Sequence, residues 1–323
     1  MKVLITGGSG FIGTNLIAHG ERLGWEMLNL DINPPKAPAQ ASYWERADIR
    51  DEARMADSFG RFQPVCLVHL AARTDLDETR DLTGYDSNMQ GVRAVLAAAK
   101  GTSSLQRVLV ASSRLVCRIG YQPANDTDYQ PTTLYGQSKI ETERIVRTGG
   151  LAIPWCLLRF TSIWGPYFGV PYRAFFMQIA GGRYVHPRGR RILKSFGYVG
   201  NTVAQLHALL EAPAEAWAGR TMYIGDDPPL EVLEWANMIR SALGLAPVPE
   251  VPVVLLKAAA AAGDLGKALG WREPPLTRFR LENLLTPMVY DLAPINRVAG
   301  PPRISLEQGV ADTVSWLRQQ GEI

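Results

Sequence analysis

Cysteine is scarce in this chain, and long apolar runs are absent. The three cysteines, Cys66, Cys117 and Cys156, lie too far apart to suggest a disulfide framework or a zinc site, and the four histidines show no metal-ligand spacing. The most apolar stretch, residues 251–262, is interrupted by a proline and a lysine and is too short to span a bilayer. The first residues lack the pattern of a secretory signal. These absences predict a cytoplasmic protein with no metal site and no membrane partner.

Acidic residues are missing from residues 144–210, a stretch that contains nine Lys and Arg residues. Because the whole chain carries a formal charge of +3, the remainder is net acidic. A basic region inside an acidic protein indicates an anionic ligand, although a solvated basic face is the alternative. No zinc-finger, RNA-recognition or basic-zipper pattern accompanies it. We therefore expect an anionic small molecule and no nucleic-acid partner.

Short apolar runs alternate with helical segments in the first half of the chain. This alternation is typical of a doubly wound parallel sheet, the Rossmann class of α/β fold. The predicted strands cover residues 2–6, 26–31, 66–70, 107–112 and 155–159. The predicted helices between them cover residues 11–23, 53–59, 87–100 and 135–147. Such a sheet binds ligands at the carboxyl ends of its strands.

A glycine-rich loop follows the first predicted strand and opens the first helix. Gly7 permits a tight turn, Gly10 lets the backbone approach a pyrophosphate, and Gly13 lets the helix pack on the strand. Asp31 ends the second strand, where a carboxylate accepts hydrogen bonds from the adenosine ribose and repels a 2′-phosphate. The pattern favours NAD over NADP.

After residue 164 the rhythm changes, and residues 164–172 form an irregular segment rich in aromatics, Gly and Pro. Returning strands are predicted at residues 195–200 and 220–225. Helices are predicted at residues 201–211, 230–243, 253–262 and 306–319. The sequence thus predicts a smaller, mainly helical C-terminal substrate domain. We assign residues 1–164 and 196–225 to the NAD-binding domain, and residues 165–195 and 226–323 to the substrate-binding domain.

Tyr135 and Lys139 stand four residues apart at the start of a predicted helix and therefore share one face. A lysine cation lowers the pKa of a nearby phenol, which lets the tyrosine exchange a proton with an alcohol during hydride transfer. Ser112 and Ser113 end a predicted strand, where a hydroxyl can bond the same substrate oxygen. Taken alone, a Tyr and Lys at this spacing also fit an incidental surface pair.

Together these motifs resemble the extended short-chain dehydrogenase/reductase family, specifically its NAD-dependent nucleotide-sugar epimerase/dehydratase group. The resemblance includes the cofactor loop, the segments 47–51, 69–72 and 158–166, and the later strand at 195–199. It implies a catalytic set of Ser113, Tyr135 and Lys139, in which Lys139 also holds the ribose. The cofactor contacts that it implies are Gly7, Gly10, Phe11, Ile12, Gly13, Asp31, Asp48, Ile49, Leu70, Ala71, Ala72, Asn88, Tyr135, Lys139 and Phe160.

The substrate contacts combine the resemblance with the basic stretch, in which bidentate Arg suits a diphosphate. They are Ser112, Arg114, Ser162, Arg183, Arg188, Arg191, Lys194 and Arg280. One departure from the family narrows the chemistry. Its dehydratases carry Asp and Glu directly after the catalytic Ser/Thr, whereas Arg114 and Leu115 stand here, so sugar 4,6-dehydration is not expected.

The leading hypothesis is an NAD-dependent epimerase of a nucleotide-activated sugar, acting at C4 through a transient ketone with Tyr135 as acid and base. The alternatives are a nucleotide-sugar ketoreductase or alcohol dehydrogenase of the same family, and a non-catalytic dinucleotide-binding protein. The resemblance also implies a homodimer formed through the helices at residues 87–100 and 135–147, although core packing explains their apolar faces equally well.

Overall fold

The core of the protein is a seven-stranded parallel sheet, seen in a computed structural model that describes residues 1–271 and 274–323. The sheet order is β11-β6-β5-β4-β1-β2-β3. Its strands are β1 (Lys2–Thr6), β2 (Glu26–Asp31), β3 (Trp44–Arg46), β4 (Cys66–His69), β5 (Arg107–Ser113), β6 (Trp155–Phe160) and β11 (Arg220–Ile224). Short ladders use β7 (Ser162–Trp164), β8 (His186–Pro187), β9 (Leu193–Lys194), β10 (Phe196–Tyr198), β12 (Leu230–Glu231) and β13 (Glu250–Val251).

Helices cover both faces of this sheet. Those in the first part of the chain are α1 (Phe11–Arg22), α2 (Glu52–Phe62), α3 (Gln90–Lys100) and α4 (Leu134–Thr148). Those that follow are α5 (Tyr172–Ala180), α6 (Val199–Glu211), α7 (Val232–Ala242), α8 (Val253–Ala268), α9 (Arg278–Leu285), α10 (Ala293–Ala299) and α11 (Leu306–Gln319). α1 packs beside α6, and α2 beside α3. Alternate residues of the central strands enter opposite core layers, so the inner residues of these strands are mostly apolar, as burial on both faces requires.

The chain reverses its direction of travel across the sheet between β1 and β4. β1, β2 and β3 are laid down towards one edge, and β4, β5, β6 and β11 towards the other. The loops that leave β1 and β4 therefore diverge and open a crevice at the carboxyl ends of these strands. The glycine-rich loop lies on one side of this crevice and Leu70 on the other.

The second part of the chain is mainly helical and is held by an aromatic core. Trp164, at the end of β7, lies 5.3 Å from Trp235 on α7 and 5.1 Å from Tyr198, measured between ring centroids. Trp164 and Trp235 are fully buried. This core joins the irregular segment after β6 to α7, so the substrate side of the molecule packs directly on the sheet.

The predicted fold class is confirmed, and most bounds of the predicted strands agree within one residue. The sequence analysis did not predict β3, α5, α9 or α10. It ended α8 at residue 262, whereas this helix continues to Ala268. The predicted helix at residues 87–100 begins only at Gln90, because a 3-10 turn covers Leu82–Asn88. Within the described residues, no helix is long and apolar enough to cross a membrane.

The apolar residues proposed for a dimer face are buried within one chain. Those on α3 and α4 are Val92, Val95, Leu96, Ala99, Ile140, Ile145 and Val146, and each is at most 6% exposed. Core packing therefore accounts for them, and the homodimer stays a prediction without their support.

Candidate active site

The glycine-rich loop joins β1 to α1 under tight steric limits. Gly7 adopts a φ of +75°, and a Cβ there would lie 2.5 Å from the backbone nitrogen of Ala71. A Cβ on Gly13 would lie 2.5 Å from the Gly7 carbonyl oxygen. Gly10 is the N-cap of α1, so the free N–H groups of this helix point into the crevice. The loop thus fits a dinucleotide pyrophosphate, which needs close backbone approach and N–H donors.

Asp31 stands at the end of β2 beside this loop. Its carboxylate accepts hydrogen bonds from the backbone N–H of Ser9 at 3.1 Å and of Asn33 at 2.9 Å. Burial raises the pKa of this carboxyl, and the backbone donors oppose that shift. Asp31 is thereby fixed in place as an acceptor next to the glycine loop. This arrangement fits the adenosine ribose of NAD.

The other predicted cofactor residues line the same crevice in part. Ile49 is buried against Gly91, whereas the Asp48 carboxylate is paired with Arg50 at 2.6 Å. Phe160 ends β6 directly beside Ser113 on β5. Phe11 and Ile12 open α1 and are partly buried. The backbone of Leu70, at the end of β4, bonds the Thr6 carbonyl at 2.9 Å, and Ala71 and Ala72 follow it.

Asn88 is a correction to the predicted cofactor set. Its side chain is fully buried, with Nδ2 donating to the Arg73 carbonyl at 2.9 Å and to the Ser138 hydroxyl at 3.0 Å. Its Oδ1 accepts from the Arg73 backbone N–H at 2.8 Å. All its polar atoms are therefore engaged, and Asn88 fastens the loop after β4 to α4 instead of facing a cofactor.

Ser113, Tyr135 and Lys139 come together where β5 ends and α4 begins. Tyr135 is 8% exposed and Lys139 is 3% exposed. Lys139 Nζ donates to the Ala111 carbonyl at 2.8 Å, which holds the ammonium against β5. Thr133 caps α4 by accepting from the Gly136 N–H at 3.0 Å. The cap sets the helix start and so fixes where Tyr135 points.

Burial shifts the pKa values of both Tyr135 and Lys139. Burial raises the pKa of Tyr135 to about 12, and a hydrogen bond from Ser113 partly opposes the shift. Burial also lowers the pKa of Lys139 to about 8, against an opposing contribution from Glu143. The activation of Tyr135 by the Lys139 ammonium stays a prediction.

Gly136 is a site residue that the sequence analysis missed. A Cβ at this position would lie 2.2 Å from the carbonyl oxygen of Leu115, in the turn that follows Ser113. The absence of a side chain therefore lets the first turn of α4 rest on that turn. This close packing brings Tyr135 beside Ser113.

Ser112 is a second correction, because it faces away from the crevice. Strand residues alternate between faces, and Ser112 Oγ donates to the Glu143 carboxylate at 2.6 Å on the buried side. Glu143 also accepts from Arg159 Nε at 2.8 Å and from the Tyr129 hydroxyl at 2.9 Å. Glu143 is fully buried and Arg159 is 1% exposed. The Glu143–Arg159 ion pair stabilises the structure beneath the site. Ser112 hydrogen-bonds to this pair and is not positioned to contact a substrate.

Arg114 enters a pocket of polar groups beside the catalytic set. It directly follows Ser113, and its charge acts on Tyr135 and on Lys194. Tyr172 and Tyr290 are its polar neighbours and act directly on its charge, while its buried Nη1 atom and the Tyr290 hydroxyl make no hydrogen bond of ordinary geometry. No carboxylate is among the groups that act on Arg114 in the described parts of the chain. Arg114 is therefore a half-buried cation, without a carboxylate partner among the described residues, next to Tyr135.

Ser162 and Lys194 complete this pocket. The Ser162 hydroxyl accepts a hydrogen bond from Tyr172. Lys194 is 5% exposed, and its Nζ donates to the carbonyls of Asn283 at 2.8 Å and Thr286 at 2.6 Å. Burial lowers the pKa of Lys194 to about 8, with Arg114 adding to the shift. A buried lysine held by neutral carbonyls keeps an uncompensated charge.

The remaining basic residues lie elsewhere on the surface. Arg183, Arg188 and Arg191 are exposed on the connection that contains β8, and Arg188 bonds the Glu250 carbonyl at 3.2 Å. Arg280 is exposed on α9, where its guanidinium donates to the Pro274 carbonyl at 2.7 Å. These contacts bind the chain to itself, and their role toward a substrate stays a prediction.

Thiol and metal chemistry find no support in the part of the chain that the structure describes. Cys66, Cys117 and Cys156 are free and buried, and burial raises the pKa of the Cys117 thiol. No group of His, Cys, Asp and Glu residues with metal-binding geometry occurs in residues 1–271 and 274–323.

Comparison with known proteins decides the family. The model of the NAD dependent epimerase/dehydratase family matches residues 3–225 of this chain. The chain belongs to that family. It is therefore an enzyme of NAD-dependent chemistry, and the crevice at the glycine-rich loop is the place in this fold for the cofactor.

Individual relatives catalyse different kinds of reaction. A 3-beta-hydroxysteroid dehydrogenase of Mycolicibacterium neoaurum is 25% identical, covering 98% of this chain and 91% of its own. An N-acetyl-alpha-D-glucosaminyl-diphospho-ditrans,octacis-undecaprenol 4-epimerase of Escherichia coli O157:H7 is 24% identical, covering 98% and 95%. The UDP-glucose 4-epimerase of Thermotoga maritima, solved with UDP-glucose, has the same fold, with a TM-score of 0.74 at 20% identity over 100% of both chains.

Proposed function

We propose that this enzyme is an NAD-dependent epimerase that inverts C4 of a diphosphate-activated sugar, with a nucleotide as the activating group. The observation that carries the proposal is a pair of neighbouring cations, half-buried Arg114 and buried Lys194, of which Arg114 directly follows Ser113 and acts on Tyr135. These two cations favour an anionic ligand near the reacting alcohol, because positive charges that are removed from water and lack a carboxylate are costly until an anion compensates them. A sugar diphosphate supplies that anion, whereas a neutral alcohol does not.

Each residue of the site has a distinct task in this reaction. The glycine-rich loop and Asp31 would hold NAD, which would supply reversible hydride transfer at the sugar carbon. Tyr135 accepts the proton of the C4 hydroxyl and gives it back to the same oxygen. Ser113 orients that oxygen by a hydrogen bond. Lys139 supplies the positive charge that, with the oxidised cofactor, favours the phenolate during the proton transfer.

The sugar must turn over between the two hydride transfers, and the pocket suits this requirement. Arg114 offers a buried Nη1, and Tyr290 offers a hydroxyl, both without a bonded partner in the protein. These donors can hold the diphosphate end while the ring rotates. Tyr172, which also neighbours Arg114, donates a hydrogen bond to Ser162.

The second candidate is an enzyme that catalyses the net oxidation or reduction of a less polar alcohol. The dehydrogenase relative of Mycolicibacterium neoaurum favours it, because that protein aligns with 98% of this chain. Both reactions use one Ser-Tyr-Lys set, so the set itself does not separate them. The charge of the pocket favours the epimerase.

The decisive experiment incubates the purified enzyme with UDP-glucose, UDP-N-acetylglucosamine and UDP-glucuronate and separates the C4 epimers by chromatography. We expect interconversion of at least one pair with no net change in NADH. Tyr135→Phe should reduce the rate by about 1000-fold or more, since it removes the acid and base. Stoichiometric NADH consumption, or turnover that survives Tyr135→Phe, would contradict the proposal.

A further inference from the structure

Exposed apolar side chains are concentrated in one short part of the molecule. Twelve large apolar side chains are exposed in the described residues, and six of them fall within residues 254–279. The six, with their exposed fractions, are Val254 (75%), Leu255 (59%), Leu265 (62%), Leu269 (80%), Trp271 (54%) and Phe279 (71%). We call this set the α8–α9 surface.

Helix α8 is apolar on two opposite sides. Its inner side, Leu256, Ala260 and Gly263, packs towards α9, and a Cβ on Gly263 would lie 1.9 Å from the Leu276 carbonyl oxygen. At about 100° per residue, Val254 and Leu265 lie on the opposite side. A helix that is apolar all round is ordinarily buried all round. The outer side of α8 therefore has the composition of a covered surface.

Positive charge surrounds this apolar surface. Lys257 and Lys267 are exposed along α8, and Arg278 and Arg280 are exposed at the start of α9. Two acids lie among them: Asp264, which is 3.6 Å from Arg278, and Glu282, which is exposed on α9. Four basic residues against these two acids leave α8 and α9 with a net positive charge. Exposed Trp, Phe and Leu flanked by Lys and Arg are the combination that binds in the headgroup layer of anionic membranes.

We propose that the α8–α9 surface docks on an anionic lipid bilayer. The apolar side chains enter the boundary between headgroups and acyl chains, and the lysines and arginines contact lipid phosphates. α8 has 16 residues and is about 24 Å long, so it lies in the plane of the interface without spanning it. A two-fold contact between copies is less favourable, because it places the same cations of both copies in one interface.

The docking surface lies close to the active-site pocket. Residues Asn283 and Thr286, at the end of α9, accept the hydrogen bonds from Lys194, and Lys194 lies beside Arg114. A docked enzyme therefore holds its cationic pocket within about one short helix of the lipid headgroups. This geometry suits a substrate whose diphosphate or alcohol is presented at a membrane.

The test is sedimentation of the full-length protein with vesicles of phosphatidylcholine alone and of phosphatidylcholine mixed with phosphatidylglycerol. We expect binding to the anionic vesicles at least tenfold stronger than to the neutral ones, and a decrease with salt. The triple variant Leu255→Ser, Leu269→Ser, Phe279→Ser should lose at least tenfold in partitioning. Leu76→Ser, at a site 51% exposed elsewhere, is the matched control and should bind like the wild type.

Fluorescence adds a local readout. Vesicle binding should shift the tryptophan emission to the blue, and Trp271→Phe should remove most of that shift while leaving unfolding temperature unchanged. Failure of the wild type to bind anionic vesicles would overturn the proposal, as would equal binding by the triple variant. A wild-type dimer that becomes monomeric in the triple variant, without vesicle binding, would assign the surface to a second copy instead. None of these outcomes depends on the identity of the substrate.

Discussion

The molecule contains two groups of basic residues that differ in burial and in the atoms that surround them. The inner group is wholly or largely buried around the candidate active site and is held by neighbouring carbonyls, phenols or a carboxylate; its members are Arg114, Lys139, Arg159 and Lys194. The outer group, Arg183, Arg188, Arg190 and Arg191, is exposed on the connection that contains β8. In sequence the outer group forms the denser cluster, and it attracts attention first.

The difference teaches that charge density along a chain does not locate a binding pocket. An exposed guanidinium is screened by water, so its contribution to binding is small. A buried cation is costly to the fold and is retained only where a partner or a ligand compensates it. The inner group therefore marks the functional part of the molecule.

The largest effect is expected from Lys139→Met. Removal of the ammonium should lower kcat/KM by about 1000-fold, because the phenol of Tyr135 then has no lysine charge to favour its ionised form. The unfolding temperature should not fall, since the variant replaces a buried charge with an apolar chain of similar length. Steady-state kinetics and a thermal melt measure both. A loss of activity that accompanies a large loss of stability would instead assign Lys139 a structural role.

Glu143→Gln should destabilise the protein by about 3–5 kcal/mol, because it leaves Arg159 buried beside a neutral amide. The loss should be visible in chemical denaturation as a lower midpoint at an unchanged slope. Glu141→Gln on the exposed side of the same helix is the control and should change stability by less than about 0.5 kcal/mol. Equal effects of the two substitutions would remove the distinction between buried and exposed ion pairs.

Arg114→Gln and Arg191→Gln compare the two groups at the level of substrate binding. We expect Arg114→Gln to raise KM by about 10- to 100-fold, the value of a buried charged hydrogen bond of roughly 1.5–3 kcal/mol. Arg191→Gln should change KM by less than about threefold. A larger effect of Arg191→Gln would place the anion on the outer connection and reverse the assignment.

The smallest expected effect is a pH dependence carried by Lys194. Burial lowers the pKa of Lys194 to about 8, so its charge is present below that pH and is lost as the pH rises through it. KM for an anionic substrate should therefore increase between pH 7 and pH 9, by roughly three- to tenfold. Lys194→Arg keeps the charge throughout and should flatten the profile. A rise in KM that persists in Lys194→Arg would point to another group.

The sequence was sufficient to predict the main strands and helices, but not the side-chain contacts between them. β1, β2, β5 and β6 follow from apolar runs, and the glycine loop follows from strand and helix context, because these signals are local in the chain. β3 has three residues and α5 follows an aromatic segment, so neither has the periodicity that a prediction needs. Asp31 was found at the end of its strand by the same local logic.

The errors arose where function depends on direction or on distant partners. Ser112 and Ser113 are adjacent, and only strand alternation decides that Ser112 faces Glu143. Asn88 was assigned by resemblance, but its amide is used by Arg73, fifteen residues away. Glu143 did carry a signal, since it follows Tyr135 and Lys139 at a further helical repeat of four residues. The role of Gly136 required the position of Leu115, which no local pattern contains.

The order of strands in the sheet has a consequence for synthesis on the ribosome. β11 completes the edge beside β6, yet 59 residues separate the two strands in the chain, and these include the whole aromatic segment and α5. Until Ile224 has emerged from the exit tunnel, β6 is an unprotected edge strand with free backbone N–H and carbonyl groups. During synthesis, β6 therefore stays open to incorrect strand pairing until β11 has been made. Fragments that stop before β11 should aggregate rather than fold.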